Sequence, residues 1–240
     1  MATHGILYIG IGTVASGPAL VDLGKRIELQ LSKLFALKDV HLSACYTQIA
    51  QGEKQPLVVV YHLEKTALER FPNLNDPEFQ ITELLETETS PNLAAEMRLY
   101  EQIQVYQLDE ARDPQIEVII KGGTPGPYAI FAAIEPAAGT DNDLDNWYRQ
   151  EHLGLVSEVG GFIRSRRYKL RELFTFDLSI GQQNENIVPR YLAIHEFQNA
   201  DYVGETLTPP TVWSARILKS VRHVDLSVYK LLNFLGTRDG

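Results

Sequence analysis

The chain has 240 residues, 44% of them hydrophobic and 22% charged, with a formal charge of −9 and an isoelectric point near 5.2. That length suits one or two domains with a real core, and the composition is that of an ordinary folded protein. So acidic a chain lacks the basic face that displaces counterions from phosphate, which excludes a general nucleic-acid binder.

The single cysteine, Cys45, allows no intrachain disulfide and fits a reducing compartment. Within HLSACYTQI it alternates like a strand residue and reads as packing rather than as a nucleophile. The opening MATHGILYIGIGTV has no basic leader region, and no run of about 18 apolar residues occurs anywhere. The expectation is a soluble cytoplasmic protein with neither a membrane nor a nucleic-acid partner.

In chain order, GILYIGIGTV (5–14) reads as a buried strand. It is followed by a helix in which Leu20, Leu23, Ile27, Leu31 and Leu34 recur at spacings of three and four. VHLSACYTQI and PLVVVYHLE (56–64) read as strands, DPEFQITELL as a second helix and MRLYEQIQVYQL (97–108) as a fourth strand. KGGTPGP (121–127) then interrupts any regular structure and reads as a linker. Beyond it the order recurs: strand YAIFAAIE (128–135), helix DNDLDNWYRQEHLGLVSEV, strand FIRSRRYKL, strand RYLAIHEFQ (190–198), helix PPTVWSARILKS and strand RHVDLSVYKLL (222–232).

Each half is thus β-α-β-β-α-β, the ferredoxin-like split βαβ order, in which a four-stranded antiparallel sheet carries both helices on one face. Residues 1–120 form the first repeat and 121–240 the second. The bare face of such a sheet needs a cover. The two halves can cover each other, which predicts an α+β protein whose sheets pack or close into a barrel with helices outside and a cavity between the sheets.

On the first helix of the second half, Leu144, Tyr148, His152, Leu155 and Val159 share one apolar stripe, with Asp141 and Asp143 as N-cap candidates. A histidine there is either a satisfied core residue or a proton carrier. The corresponding helix of the first half has Lys25, Arg26 and Gln30 in place of the aromatic pair and histidine. That asymmetry points to one working half and one scaffold half, although drift between repeats also explains it.

WYRQEHLGLVSEVGGFIRSRRYKL together with PRYLAIHEF resembles the EthD-like branch of the dimeric α+β barrel superfamily, in the tandem-repeat form seen in fungal proteins. The match covers 146–170 and 190–197: a W-Y-x-x-E-H helix, a G-F-x-x-x-x-R-Y strand start and a Y-L-x-x-H-E-F strand. The first half resembles the family in strand pattern only and lacks the Glu-His helix, so the resemblance implies a site in the second half alone. The superfamily contains cyclases, decarboxylases, cofactor-free monooxygenases, isomerases and some haem peroxidases. What they share is a ligand cavity between sheet and covering helices, and that likeness names a cavity rather than a reaction.

The resemblance marks His152 and His195 as the histidines in family positions, and they are the acid-base candidates because imidazole titrates near neutral pH. Tyr148, one turn before His152, is placed to polarise a ligand oxygen. Alternation in YLAIHEF puts Tyr191, Ala193, His195 and Phe197 on one face. Trp147, Tyr168, Tyr191, Phe197 and Trp213 are the wall candidates. Arg164 and Arg166, on one face of β-strand FIRSRRYKL, either grip an anionic group of the ligand or guard a sheet edge.

No phosphate loop, dinucleotide fingerprint, zincin helix or nucleophile elbow occurs, and the six histidines lack zinc-ligand spacing. The reading is a cofactor-independent acid/base enzyme, a cyclase, isomerase or lyase, acting on a hydrophobic polyketide-like molecule, with a second copy of the chain as the candidate protein partner. Two alternatives stand beside it: a non-catalytic small-molecule-binding or stress-response protein, and a haem-dependent member of the same superfamily.

Overall fold

The structure, a computed structural model, describes residues 5–12, 40–50, 56–70, 94–108, 114–121, 123–177, 187–201 and 211–236. Eight strands form one closed antiparallel barrel: β1 (Gly5–Gly12), β2 (Val40–Ala50), β3 (Leu57–Leu63), β4 (Ala94–Gln107), β5 (Tyr128–Glu135), β6 (Phe162–Asp177), β7 (Tyr191–Phe197) and β8 (His223–Leu235). The described helices are α1 (Lys65–Arg70), α2 (Pro114–Lys121), α3 (Asp141–Trp147), α4 (Leu153–Ser157) and α5 (Val212–Ser220). A π-helical turn, Tyr148–His152, joins α3 to α4.

Around the barrel the strands run β1-β3-β2-β8-β5-β7-β6-β4 and back to β1. The first half therefore has the order β4-β1-β3-β2 and the second the order β8-β5-β7-β6, which correspond strand for strand. The seams correspond as well, since β2 of one half pairs with β8 of the other, and β6 with β4. This is the α+β class expected from the sequence, with every expected strand present. The two helices expected in the first half lie outside the described residues. Helices α1 and α2 were not expected, and α2 takes Lys121 out of the predicted linker.

Pleating sorts the residues of each strand between two environments. Ile6, Tyr8, Ala44, Tyr46, Val58, Val60, Tyr100, Ala129, Phe131, Tyr168, Leu192, Ile194 and Tyr229 point inward and fill the barrel. The hollow expected between the sheets is largely occupied by rings: Phe131 lies 5.4 Å from Tyr46 and 4.8 Å from Tyr229, centroid to centroid. Such ring pairs are worth about 0.5–1.5 kcal/mol beyond their burial. A pocket of about 160 Å³ remains at one end.

The second environment is the outer face under α3, the π turn, α4 and α5. Ala132, Ile134, Tyr191 and Ala193 of the sheet meet Leu144, Trp147, Tyr148, Leu153 and Ile217 of the helices. Cys45 is buried, as expected of a packing residue.

Arg164, Arg166 and Glu196 point inward at the end where 123–127 closes the barrel. Glu196 accepts from Arg164 Nη2 at 2.9 Å, from Arg166 Nη1 and from the Gly126 amide at 2.7 Å, while Arg164 Nη2 also donates to the Thr124 carbonyl. Burial by itself raises the Glu196 pKa, but the two guanidiniums outweigh it and hold the carboxyl down at about 2. The chain must also come close: a Cβ on Gly126 would stand 2.9 Å from the Glu196 Cβ, so only glycine fits. The sheet-edge reading of the arginines is thereby corrected, because β6 pairs with β7 on one side and β4 on the other and has no open edge.

Removing the shared carboxylate leaves two buried guanidiniums uncompensated. Glu196→Ala is therefore expected to destabilise the fold by about 3–5 kcal/mol in urea unfolding. A change below about 1 kcal/mol would show that these arginines reach water.

Candidate functional site

The helix DNDLDNWYRQEHLGLVSEV forms over Asp141–Ser157, but not with the cap or the period expected. Thr140 occupies the N-cap position, and the aspartates of the first turn bind elsewhere. Asp141 accepts from Arg190 Nη1 and Tyr191 Oη, both at 2.8 Å; Asp143 accepts from Trp213 Nε1 at 3.1 Å and Arg216 Nη2 at 2.7 Å. The π turn then adds a residue to the repeat, with the Leu153 amide donating to the Tyr148 carbonyl. Beyond it the buried positions are Leu153, Val156 and Ser157, whereas Leu155 and Val159 of the predicted stripe are only half-buried.

The same extra residue brings Trp147 and His152, five positions apart, into a contact that regular α-spacing would prevent. Trp147 stacks on His152 with centroids 4.1 Å apart and planes 20° apart, and Tyr148 meets His152 edge-on at 5.1 Å. Glu151 anchors the turn by accepting from Thr211 Oγ1 at 2.5 Å and Ser214 Oγ at 3.1 Å, at the N-terminus of α5. Trp147 Nε1 donates to the same Ser214 hydroxyl at 3.1 Å. These bonds, that of Thr211 first, hold the Glu151 carboxyl below its ordinary pKa.

His195 enters from β7, opposite Ser165 of β6 and Ile130 of β5, on the outer face. Its Nδ1 lies 2.7 Å from Ser165 Oγ, and its ring lies 5.9 Å from that of His152. The two acid-base candidates, 43 positions apart in sequence, thus meet between helix and sheet.

Both imidazoles are held neutral at neutral pH. Burial lowers His152 to about 4, helped by Arg167 and opposed by Glu151; burial, His152 and Arg167 lower His195 to about 3. Tyr148 is pushed up to about 12 by burial, against the pull of Arg167, and keeps its proton.

Arg167 is the cation of this layer. Its guanidinium lies 4.0 Å over the Tyr148 ring, and Nη1 donates to Gln104 Oε1 at 2.6 Å and to Asp145 Oδ1 at 2.9 Å. Nη2 is buried and has no hydrogen-bond partner among the described residues. Arg167, Ser165, Glu151 and Asp145 were not among the sequence candidates. Ser165 and Arg167 share strand parity with each other, and the β6–β7 register puts that parity on the His195 side.

The wall candidates divide between the two faces. Trp147, Tyr191, Phe197 and Trp213 lie on the helix side with the imidazoles; Tyr191 is pushed up to about 12 by burial and its bond to Asp141, and Phe197 packs against Val156 and Phe162. Arg166 and Tyr168 lie inside the barrel, across the sheet from His152 and His195. Among the described residues, no three His, Cys, Asp or Glu side chains are placed to share a metal ion, and no helix is long and apolar enough to cross a membrane.

An unfolded histidine titrates near 6.5. Below about pH 6.5 the unfolded chain therefore takes up protons that His152 and His195 refuse until about 4 and about 3. Stability falls as pH drops through that window, and above it the pair adds no pH dependence. Urea unfolding between about pH 7.5 and about pH 5 is expected to show this fall, and a His152→Gln/His195→Gln double variant a shallower one. Equal slopes would place both imidazoles in water.

No protein-family model and no curated protein matches the sequence. Solved structures do match over nearly the whole chain. An anthrone oxidase-like protein aligns with a TM-score of 0.62 at 12% identity, covering 99% of this chain and 94% of its own. A proposed monooxygenase from Fusobacterium nucleatum aligns at 0.59 and 8% identity, over 100% and 97%. A mutant chlorite dismutase from Candidatus Nitrospira defluvii, in complex with cyanide, aligns at 0.54 and 9% identity, over 97% and 92%. At such identities the likeness concerns architecture alone: this chain shares the fold of these proteins.

Proposed function

We propose that the chain is an internal duplication, residues 1–120 and 121–240, whose second repeat is a cofactor-independent acid/base enzyme acting on a hydrophobic, polyketide-like small molecule. In this reading His152, the partly exposed member of the pair, takes a proton from an acidic C–H or O–H of the substrate. His195, held by Ser165, is the second proton-transfer group. The Arg167 guanidinium and the Tyr148 hydroxyl stabilise the oxyanion that forms, and Trp147, Tyr191 and Trp213 shape the approach.

The observation that carries the reading is the meeting of two neutral imidazoles with a buried guanidinium whose Nη2 lacks a partner among the described residues. Neutral imidazole is the base form, and an unpaired buried donor is what a developing anion requires. The architecture shared with the anthrone oxidase-like protein suggests the substrate type, a fused-ring ketone with an acidic methylene.

The haem alternative fits these residues poorly. A haem iron binds an imidazole through a ring nitrogen and needs an open slot beyond that nitrogen, whereas His195 is buried and His152 is packed among Trp147, Tyr148 and His195. A second reading, ligand binding without turnover, is favoured by the low basicity of the pair, since a proton acceptor with a pKa of about 4 is weak.

Exchange of the anthrone methylene protons in D2O, followed by proton NMR, separates these two readings without any oxidant. The proton leaves carbon for the imidazole, and a solvent deuteron replaces it. The wild type is expected to accelerate exchange, with His152→Gln slower by about 10²-fold or more and Arg167→Met by about 10-fold or more. Because the base form is active, the rate should stay level as pH falls through 6.5 and drop only towards about 4. Anthrone that raises the melting temperature yet exchanges no faster than in buffer would make this a binding protein.

A further inference from the structure

A hollow inside the barrel opens on the opposite side of the sheet from the imidazole pair. Its walls are Tyr8, Phe131, Leu192 and Tyr229, and its polar groups are Arg98 and Asp225, at the end where β8 begins. Strand register explains the gathering: Asp225, Ser227 and Tyr229 of β8 pair with Ala133, Phe131 and Ala129 of β5, all on the inner face. At about 160 Å³ it has the size of an apolar cavity that holds one benzene ring, about 150 Å³.

The polar groups narrow the choice of ligand. Arg98 is 9% exposed; Nε donates to Glu96, Nη1 donates to Tyr100 Oη at 3.4 Å, and Nη2 makes no hydrogen bond among the described residues. The guanidinium sits 5.3 Å over the Tyr8 ring, so a cation already occupies that ring face. Asp225 stands exposed at the rim, its carboxylate accepting only from Ser227 Oγ at 3.4 Å among the described residues, with His223 beside it and the phenols of Tyr8 and Tyr229 further in.

Of the lining groups only Arg98 and Asp225 carry a fixed charge, one purely a donor and the other purely an acceptor, while the hydroxyls of Tyr8, Ser227 and Tyr229 adapt to either. A polar group that meets both charged residues must therefore accept from Arg98 and donate to Asp225. A carboxylate cannot donate, an ammonium cannot accept, and a hydroxyl does both. We infer that the barrel-end pocket is a second binding site, separate from the imidazole layer, for a neutral single-ring hydroxyaromatic compound. The ring lies among Phe131, Tyr229 and Leu192, and its hydroxyl bridges Arg98 and Asp225.

Fluorine NMR titration with 4-fluorophenol tests this, with 4-fluorobenzoate and 4-fluorobenzylamine as charged counterparts. The wild type is expected to bind the phenol saturably and each charged probe at least about tenfold more weakly, the equivalent of one lost hydrogen bond. Ala133→Leu, which fills the pocket, and Arg98→Leu, which removes the donor, should each weaken the phenol about tenfold or more. His152→Gln should leave its affinity unchanged. In the wild type, where folding is not in question, the bound ring should give nuclear Overhauser contacts to Phe131 and Tyr229. Absence of saturable binding, tighter binding of either charged probe, or contacts to Trp147 in place of Phe131 would overturn the inference.

Discussion

Barrel closure is the constraint on which the other features depend. Because β2 pairs with β8 and β4 with β6, each strand of the second half has neighbours on both sides, and its residues have only two places to go. Shifting β6 by one residue would exchange Arg164 and Arg166 for Ser165 and Arg167 across the sheet. The register thus decides which arginines meet Glu196 and which one meets the imidazoles.

The two sides resolve their buried charge differently. Inside, Glu196 is ionised and shared between two guanidiniums, an arrangement that stabilises only while every member is present. Outside, Arg167 is partly satisfied by Asp145 and Gln104, and the imidazoles respond to its charge and to burial by staying neutral. One layer is a locked ion cluster. Buried donors without a partner among the described residues occur on both sides, at Arg166 Nε and Nη2 inside and at Arg167 Nη2 outside, so what sets the outer layer apart is the pair of neutral imidazoles beside the donor.

The sequence carried the strand pattern well, because β-branched and alternating runs such as PLVVVYHLE and YAIFAAIE leave little choice, and β5 spans the predicted residues. The pairing of His152 with His195 was legible only through resemblance, since no periodicity links a helix to a strand 40 residues away. The failures have local causes. The π turn displaced the helical stripe after Tyr148, a shift that periodicity cannot anticipate because one residue is added within an otherwise regular helix. Arg164 and Arg166 were read as edge or ligand contacts because alternation shows which residues share a face but not which face is inner. Arg167 was passed over for the same reason. Parity became absolute only when Ser165 was seen opposite His195.

The central claim is that one outer layer confines both imidazoles, and proton NMR of the histidine rings tests it most directly. With centroids 5.9 Å apart, the ring protons of His152 and His195 should show a nuclear Overhauser contact, and His152 should show another to the Trp147 ring stacked on it. A His195 ring in contact with Tyr46 or Tyr168 instead would mean that β7 faces the other way, and the account of the site would fail with it.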